Sequence, residues 1–208
     1  MNRSPDAPTV YLVDDDAHVL KAHARLLRAH GFEVATFESA EAFLEGHDPS
    51  VPGCLVLDVN LPGLDGLELQ RRLAESPPSP PIVFVSGQGD IPMSVRAIKA
   101  GAVDFLTKPV ESANLLAAVR AGIAQDATTR QALRAEDSLR KRYASLSSRE
   151  REVLGALAAG KLNKQIAGEL GITEATVKFH RSRLMARMQA RTVAELMHLV
   201  ARLGGGPD

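Results

Sequence analysis

Five short apolar runs alternate with segments of helical spacing in the first 125 residues, and this alternation is the strongest constraint on the fold. The helical segments repeat apolar residues every three or four positions. The runs are largely apolar along their length, as parallel strands are when both faces of a sheet are covered. The predicted strands are Thr9–Val13, Glu33–Phe37, Cys54–Val59, Pro81–Val85 and Val103–Leu106. We therefore expect an α/β fold with a doubly wound, five-stranded parallel sheet.

Polar residues stand at the carboxyl ends of four predicted strands. They are Asp14, Asp15 and Asp16 after the first strand, Asp58 in the third, Ser86 after the fourth, and Thr107 and Lys108 after the fifth. In a doubly wound sheet the functional crevice lies at these ends. The sequence therefore predicts that an acidic cluster, a hydroxyl and a lysine converge at one edge.

The acidic cluster indicates a cation and phosphoryl chemistry. Crowded carboxylates stay ionised only when a positive charge compensates them, and Mg²⁺ prefers such oxygen ligands. A carboxylate such as Asp58 can attack phosphorus to give an aspartyl phosphate, and Lys108 would neutralise charge on the transferred group. The alternative is an acidic strand-end cluster that binds nothing, and the accompanying lysine disfavours it.

The formal net charge of zero hides two halves of opposite sign. Residues 1–125 hold 10 basic and 16 acidic residues, whereas residues 126–208 hold 15 basic and 9 acidic residues. Such a split suggests two domains with different partners. The single cysteine, Cys54, excludes an intramolecular disulfide and any zinc site with several cysteines.

A charged segment between the two halves predicts a helical linker over residues 126–142. Its apolar positions could form a narrow seam made of Ala132, Ala135, Leu139, Tyr143 and Leu146. One interpretation is a short coiled coil between two subunits, and the other is a solvated connector helix. The seam alone leaves both open.

The last 60 residues predict four helices with a helix-turn-helix. Ser147–Glu150 and Thr192–Glu195 have the pattern of capping boxes, and Gly171 suits a left-handed turn. Basic residues gather around the third helix: Lys178, Arg181, Arg183, Arg187 and Arg191. This pattern favours contacts with DNA phosphates, and the alternative is a solvated helix face.

Four motifs resemble the receiver domain of two-component response regulators. They are Val13-Asp14-Asp15, the run Leu57–Gly63, Ser86-Gly87 and Lys108-Pro109, in that family's order and spacing. The resemblance covers residues 8–125 and implies a flavodoxin-like receiver. It implies that Asp58 is the phosphoacceptor for a sensor histidine kinase. It also implies a Mg²⁺ or Mn²⁺ site formed by Asp14, Asp15, Asp58 and the backbone carbonyl of Asn60.

The same resemblance assigns residues around the phosphoryl group. Lys108 would contact the phosphate and form a cis peptide bond with Pro109. Ser86 would supply the hydroxyl that follows the phosphoryl group. Phe105 stands where the family has a switch aromatic, often tyrosine, so a switch here would work by ring burial alone. Asp16 is an accessory acid, and its alternative role is to cap the first helix.

Residues 143–203 resemble the LuxR-type four-helix DNA-binding domain. The carrying stretches are Leu146–Leu154, Asn163–Ala167 and Thr176–Arg181. The resemblance implies base-edge contacts by Lys178, Phe179 and Ser182. It implies contacts with the DNA backbone by Asn163, Lys164, Thr176, Arg181 and Arg183.

Two surfaces are expected to form dimer contacts, with core packing as the alternative for each. The segments Ser86–Met93 and Lys99–Phe105 resemble the FixJ branch, in which the fourth helix and fifth strand mediate dimerisation. On that helix Val95 and Ile98 are the apolar candidates. On the final helix of the chain the candidates are Leu196, Leu199 and Val200.

Together these features predict a response regulator of the FixJ/NarL type, not an enzyme. Phosphorylation of Asp58 would favour a homodimer that binds double-stranded DNA and regulates transcription. One rival is a phosphorylation-independent transcription factor. The other is a metal-dependent phosphohydrolase, disfavoured because haloacid-dehalogenase phosphatases carry a second aspartate where this chain has Asn60. Met1–Pro8 lacks a signal-peptide pattern, and a cytoplasmic protein without a membrane partner is expected.

Overall fold

The computed structural model describes residues 7–76, 78–87 and 91–203. The first six residues, the predicted helix-start residue Asp90 and the tail Gly204–Asp208, expected to fray, lie outside these ranges. The chain divides into two compact units, Met1–Gln131 and Ala132–Asp208. Each unit is described by itself below.

The first unit is built on the predicted five-stranded parallel sheet. Its strands are β1 (Thr9–Val13), β2 (Glu33–Phe37), β3 (Gly53–Asp58), β4 (Ile82–Ser86) and β5 (Asp104–Thr107). Their spatial order is β2-β1-β3-β4-β5 and all four pairings are parallel. The doubly wound α/β prediction is therefore confirmed. Strand β3 begins and ends one residue earlier than predicted, and β4 and β5 each begin and end one residue later.

Four helices connect these strands and a fifth follows them. They are α1 (Ala17–Ala29), α2 (Ala40–Gly46), α3 (Gly66–Ala74), α4 (Ile91–Lys99) and α5 (Ser112–Ala144). Asp16 caps α1, because its side chain accepts the amide N–H of His18 at 2.8 Å and that of Val19 at 3.4 Å. The capping role considered for Asp16 is thus the one that the structure shows.

Both faces of the sheet are covered, which explains the nearly continuous apolar runs. Residues on one face, including Leu55, Leu57 and Phe84, belong to one buried cluster. Their neighbours along the same strands, including Val56 and Val83, belong to a second buried cluster on the other face. Because side chains alternate along a strand, apolar residues are needed at successive positions of these central strands, up to the polar residues at their carboxyl ends.

Helix α5 runs unbroken for 33 residues and includes the whole of the predicted linker, 126–142. Asp126 and Arg130, both buried, tie this helix to the loop before β3. The Asp126 carboxylate accepts the Gly53 amide and the Arg130 Nε, each at 2.8 Å. Arg130 also donates to the carbonyls of Ser50 and Val51. The first unit therefore holds α5 beyond residue 125, where the receiver was predicted to end.

The second unit consists of four further helices and the end of α5. The helices are α6 (Ser148–Ala158), α7 (Asn163–Leu170), α8 (Glu174–Met188) and α9 (Val193–Arg202). Leu139 and Leu146 are buried in the core of this unit, and Tyr143 packs against it. Three of the five seam residues thus pack against residues of their own chain. These three side chains are therefore not available for a coiled coil with a second subunit.

The turns of the second unit agree with the sequence at two of three positions. Ser147 and Glu150 form the predicted capping box, with bonds of 3.3 and 2.8 Å, and Gly171 has the left-handed φ of 63°. The second predicted box forms only in half. Thr192 caps the Glu195 amide, but the Glu195 carboxylate accepts the amide of Arg191 instead of that of Thr192.

The predicted dimer surfaces differ in exposure. Leu196 and Val200 on α9 are buried in the core of the second unit, with Leu199 half-buried beside them. On α4, by contrast, Val95 and Ile98 expose 44% and 45% of their surface. The α4 residues are therefore accessible to a partner, whereas α9 uses most of its predicted surface for internal packing. Among the described residues, no helix is long and apolar enough to cross a lipid bilayer.

Replacement of Arg130 by alanine is expected to destabilise the first unit by about 3 kcal/mol, because it leaves the buried Asp126 carboxylate without its cation. Arg140→Ala provides a matched control, since Arg140 forms an exposed pair with Glu136 four residues earlier on the same helix and should cost under about 0.5 kcal/mol. Urea unfolding followed by circular dichroism measures both. Equal losses for the two variants would contradict the assigned role of the buried pair.

Candidate functional site

Three aspartates meet at the carboxyl edge of the sheet. Asp14 follows β1 and Asp58 ends β3, and both are buried, while Asp15 is exposed. A carboxylate oxygen of each lies within 4.8 Å of one from the others. Strands β1 and β3 are paired directly, with Val13 opposite Leu57. The parallel register therefore brings these acids together from positions more than 40 residues apart in the chain.

Lys108 bridges the two buried aspartates. Its Nζ donates to Asp14 Oδ2 and to Asp58 Oδ2, each at 2.7 Å. The peptide bond to Pro109 is cis, as predicted. Burial alone would lower the pKa of Lys108, but its hydrogen bonds to the two carboxylates raise the pKa above its usual range. The ammonium is therefore charged at neutral pH and offsets part of the acidic charge.

Backbone amides orient the remaining carboxylate oxygens. The N–H of Asp16 donates to Asp14 Oδ1 at 3.0 Å, and the N–H of Asn60 donates to Asp58 Oδ1 at 3.1 Å. Each buried aspartate thus has one oxygen held by a backbone amide and the other by Lys108. This two-point attachment fixes both side chains without closing the exposed side of the cluster, where Asp15 lies.

The predicted hydroxyl and switch residues lie on β4 and β5, which pair with each other. Ser86 ends β4 and is fully buried, opposite the exposed Thr107 in β5. Phe105 is half-buried, and its ring centroid lies 6.1 Å from that of Phe84. The sheet therefore places Ser86 on the strand next to the one that carries Asp58, and Phe105 one strand further out.

Sequence reasoning missed two residues that shape the loop after Asp58. The Glu41 carboxylate on α2 accepts the amide of Leu64 at 3.0 Å. Gly66 donates to the Val59 carbonyl at 3.0 Å, and a Cβ on Gly66 would stand 2.4 Å from the Asp58 carbonyl oxygen. The second glycine of the run Leu61–Gly66 was a visible signal for a close backbone approach. Glu41 left no signal, because it is 23 residues from its partner.

A cavity of about 660 Å³ opens beside the acidic cluster. Asp15, Asn60 and Asp65 contribute polar groups to its wall, and Arg96 on α4 contributes a cation. The three carboxylates fit a hard divalent cation, because they offer oxygen ligands and Asp15 is open to solvent. The site therefore combines a cation-binding set, a candidate nucleophile and a fixed ammonium.

The basic candidates of the second unit converge on one face around α8. Asn163, Lys178, Arg181, Ser182 and Arg191 line one cavity of about 430 Å³. Arg181 Nη1 donates to Asn163 Oδ1 at 3.2 Å, which joins α8 to the start of α7. Lys164, Lys178, Phe179, Ser182 and Arg183 are exposed. This surface has the accessibility and charge that contact with a polyanion requires.

Besides Arg181 and Asn163, two further predicted residues also form bonds within the unit. Arg187, counted in the predicted basic cluster, donates to the Ser145 carbonyl and lies 3.4 Å from the buried Glu150 carboxylate. It therefore stabilises the junction of α5 with α6. Thr176 is half-buried, and its hydroxyl shares a 2.9 Å hydrogen bond with that of Thr173.

Two family models match the chain: "Response regulator receiver domain" over residues 10–120 and "Bacterial regulatory proteins, luxR family" over residues 144–200. The response regulator protein TodT of Pseudomonas putida is 46% identical over 200 residues, covering 96% of this chain and 88% of TodT. The transcriptional regulatory protein FixJ of Rhizobium meliloti is 39% identical over 200 residues, covering 96% of this chain and 98% of FixJ.

Solved structures agree with these matches. The response regulator StyR is 49% identical with a TM-score of 0.85, covering 94% of this chain and 99% of StyR. Full-length FixJ from B. japonicum is 40% identical with a TM-score of 0.55, covering 96% of this chain and 98% of that one.

Gly66→Ala is expected to destabilise the first unit by about 1–3 kcal/mol, because the new methyl group must displace the Asp58 backbone. It should also slow the reaction with phosphoramidate that the sequence predicts for Asp58. Gly168→Ala is the control: this helical glycine has no atom within 4 Å of the added Cβ, so the change should stabilise the second unit by about 0.5–1 kcal/mol. Thermal unfolding and mass spectrometry measure the two effects. A Gly66→Ala protein with unchanged stability and labelling would refute the close approach.

Proposed function

Since this chain belongs to the response regulators that join a receiver domain to a LuxR-type DNA-binding domain, we propose that Asp58 is its phosphoacceptor and that a sensor histidine kinase is the donor. The observation that carries this proposal is the Lys108 ammonium, which lies 2.7 Å from both Asp14 and Asp58 at the carboxyl edge of the sheet. Asp58 is the only one of the three acids that ends a central strand and stands between the other polar strand ends.

Phosphoryl transfer needs an aligned nucleophile and charge neutralisation. A carboxylate oxygen of Asp58 attacks phosphorus, and the P–N bond to the kinase histidine breaks as the new P–O bond forms. The imidazole nitrogen leaves with the electron pair. The Asn60 amide holds one oxygen of Asp58 in place, and Lys108 is close enough to neutralise charge on the incoming group.

A divalent cation completes this site. We propose that Asp14, Asp15, Asp58 and the backbone carbonyl of Asn60 hold Mg²⁺ or Mn²⁺, which supplies further neutralisation of the phosphoryl oxygens. The clustered carboxylate oxygens within 4.8 Å support this ligand set. Lys108 and the backbone amides of Asp16 and Asn60 hold Asp14 and Asp58 in place, and the exposed Asp15 would give a cation access to the cluster from solvent.

Phosphorylation is proposed to act through Ser86 and Phe105. The Ser86 hydroxyl is at the end of the strand next to β3 and would follow the phosphoryl group. Phe105 is only half-buried and rests against Phe84, so its ring has surface left to bury. The exposed Val95 and Ile98 on α4 support a receiver dimer formed through α4 and β5.

The output is proposed to be DNA binding by α8 in the major groove. Lys178, Phe179 and Ser182 would contact base edges, and Asn163, Lys164, Thr176, Arg181 and Arg183 would contact the backbone. Pairing two such units would match a two-fold related site. Because the bacterial chromosome lies in the cytoplasm, that is where we propose the protein acts. We propose no catalysis beyond phosphorylation of Asp58 and its hydrolysis.

Asp58→Asn is expected to abolish phosphorylation by phosphoramidate with Mg²⁺, because an amide cannot form the acyl phosphate. Operator binding by the treated variant should be weaker than that of treated wild type by about tenfold or more, within the usual range of allosteric coupling. Asp16→Asn is the control, since Asn also caps a helix and Asp16 lies outside the three-acid cluster. Intact-mass spectrometry and fluorescence anisotropy measure the two steps. An Asp58→Asn protein that binds DNA as tightly as treated wild type would favour the phosphorylation-independent alternative.

Lys178→Ala is expected to weaken operator binding by roughly 10- to 100-fold and to relax base preference at one position. Lys164→Ala should instead weaken binding to every sequence evenly and lower the slope of affinity against salt by about one. Anisotropy titrations at several salt concentrations separate the two. If Lys178→Ala keeps both the affinity and the preference of wild type, α8 is not the reading helix.

A further inference from the structure

Phe179 is the one exposed phenylalanine of this chain. It exposes 54% of its surface, whereas the other five, all within the described ranges, are buried or half-buried. Leaving an aromatic ring in water forgoes the free energy of its burial. Such exposure on a helix that already carries basic residues points to a partner that covers the ring.

Two neighbours on α8 hold this ring. The guanidinium carbon of Arg183 lies 5.4 Å from the ring centroid, within the range of a cation–π contact. The His180 ring meets it edge-on at 5.5 Å between centroids. Residues four apart share a helix face, so Arg183 lies over one side of the ring. These two contacts favour one orientation of the ring before any partner binds.

The surroundings of the ring define its partner. Lys178, Ser182 and Arg183 around it are polar or basic and exposed, and Glu174 is the single acidic residue of α8. A protein partner that docks by apolar contact would need a larger apolar patch than one ring. A basic surface with a single exposed aromatic ring instead matches a polyanion that presents one small apolar group in a groove.

We propose that Phe179 recognises the 5-methyl group of a thymine in the major groove, with Arg183 as the residue that positions the ring. This inference rests on the proposed binding of DNA by α8 and adds the base that one position selects. The thymine methyl is the apolar group that the major-groove edge offers, whereas cytosine offers an amino donor that an aromatic ring edge cannot satisfy. Phe179 would thus favour thymine over cytosine once in each half-site.

The test uses the full chain, treated with phosphoramidate and Mg²⁺, and duplexes that it selects from a randomised library. Each thymine of the selected duplex is replaced singly by deoxyuridine, which lacks only the methyl group. At one thymine in each half-site, wild type should bind the uracil duplex about fourfold more weakly, as for loss of one buried methyl group. Phe179→Ala should bind the thymine and uracil duplexes equally.

Three further variants sharpen the result. Phe179→Leu keeps an apolar side chain and should retain part of the thymine preference. Lys164→Ala should weaken binding to both duplexes while keeping their ratio. Arg183→Gln should reduce the ratio of the affinities for the thymine and uracil duplexes. If Arg183 only contacted a phosphate, this substitution would leave that ratio unchanged. Because Phe179 is exposed, the alanine variant should melt at the same temperature as wild type.

The contrary outcomes are distinguishable. The inference is wrong if no selected thymine responds to loss of its methyl group, or if the ratio persists in Phe179→Ala. Either result obtained with tight, selective binding leaves the proposed function intact. If the treated wild-type chain selects no DNA sequence at all, the proposed function itself fails, and the inference fails with it.

Discussion

The paired contact of one ammonium with two buried carboxylates is the constraint on which the first unit depends. Lys108 reaches Asp14 and Asp58 across 94 and 50 residues of sequence. Parallel strands that end at the same edge of the sheet bring these three groups together, and the Lys108 side chain reaches Asp58 although β4 lies between β5 and β3. The strand order aligns the polar strand ends, the apolar strands fix the sheet between its helices, and the close approach at Gly66 positions the backbone at Asp58. Removal of the Lys108 ammonium would leave the negative charges of Asp14 and Asp58 close together in a largely buried site.

Helix α5 shows how one element can belong to two cores. Its Asp126 and Arg130 are buried in the first unit, while Leu139 packs in the core of the second. The part of the helix that packs in neither core is therefore shorter than the linker inferred from composition. A charged segment looks like a solvated connector in sequence, because composition does not show which charges are buried and paired. Asp126 and Arg130 have the i, i+4 spacing of an ordinary surface pair. They are buried because the loop before β3 packs over them and forms hydrogen bonds with both.

Local signals predicted local structure well. Strand-end acids, the Ser147 cap and the Gly171 turn depend on residues within a few positions, and each formed as expected. Signals that depend on distant partners were missed or misassigned. Glu41 contacts the loop after Asp58 with no marker in its own neighbourhood. Arg187 was grouped with the DNA-facing residues, but its guanidinium holds Glu150 and the end of α5.

The order of apolar runs and strand-end residues was enough to specify the parallel sheet, the acidic site and the basic helical unit. Those features follow from periodicity and from chain order, which are properties of the sequence itself. The folded chain alone decided which charges are paired, which apolar residues remain exposed, and where α5 is anchored. Burial is set by residues that are far apart in the chain. The sequence alone therefore could not show that the ring of Phe179 is exposed or that Arg130 is buried.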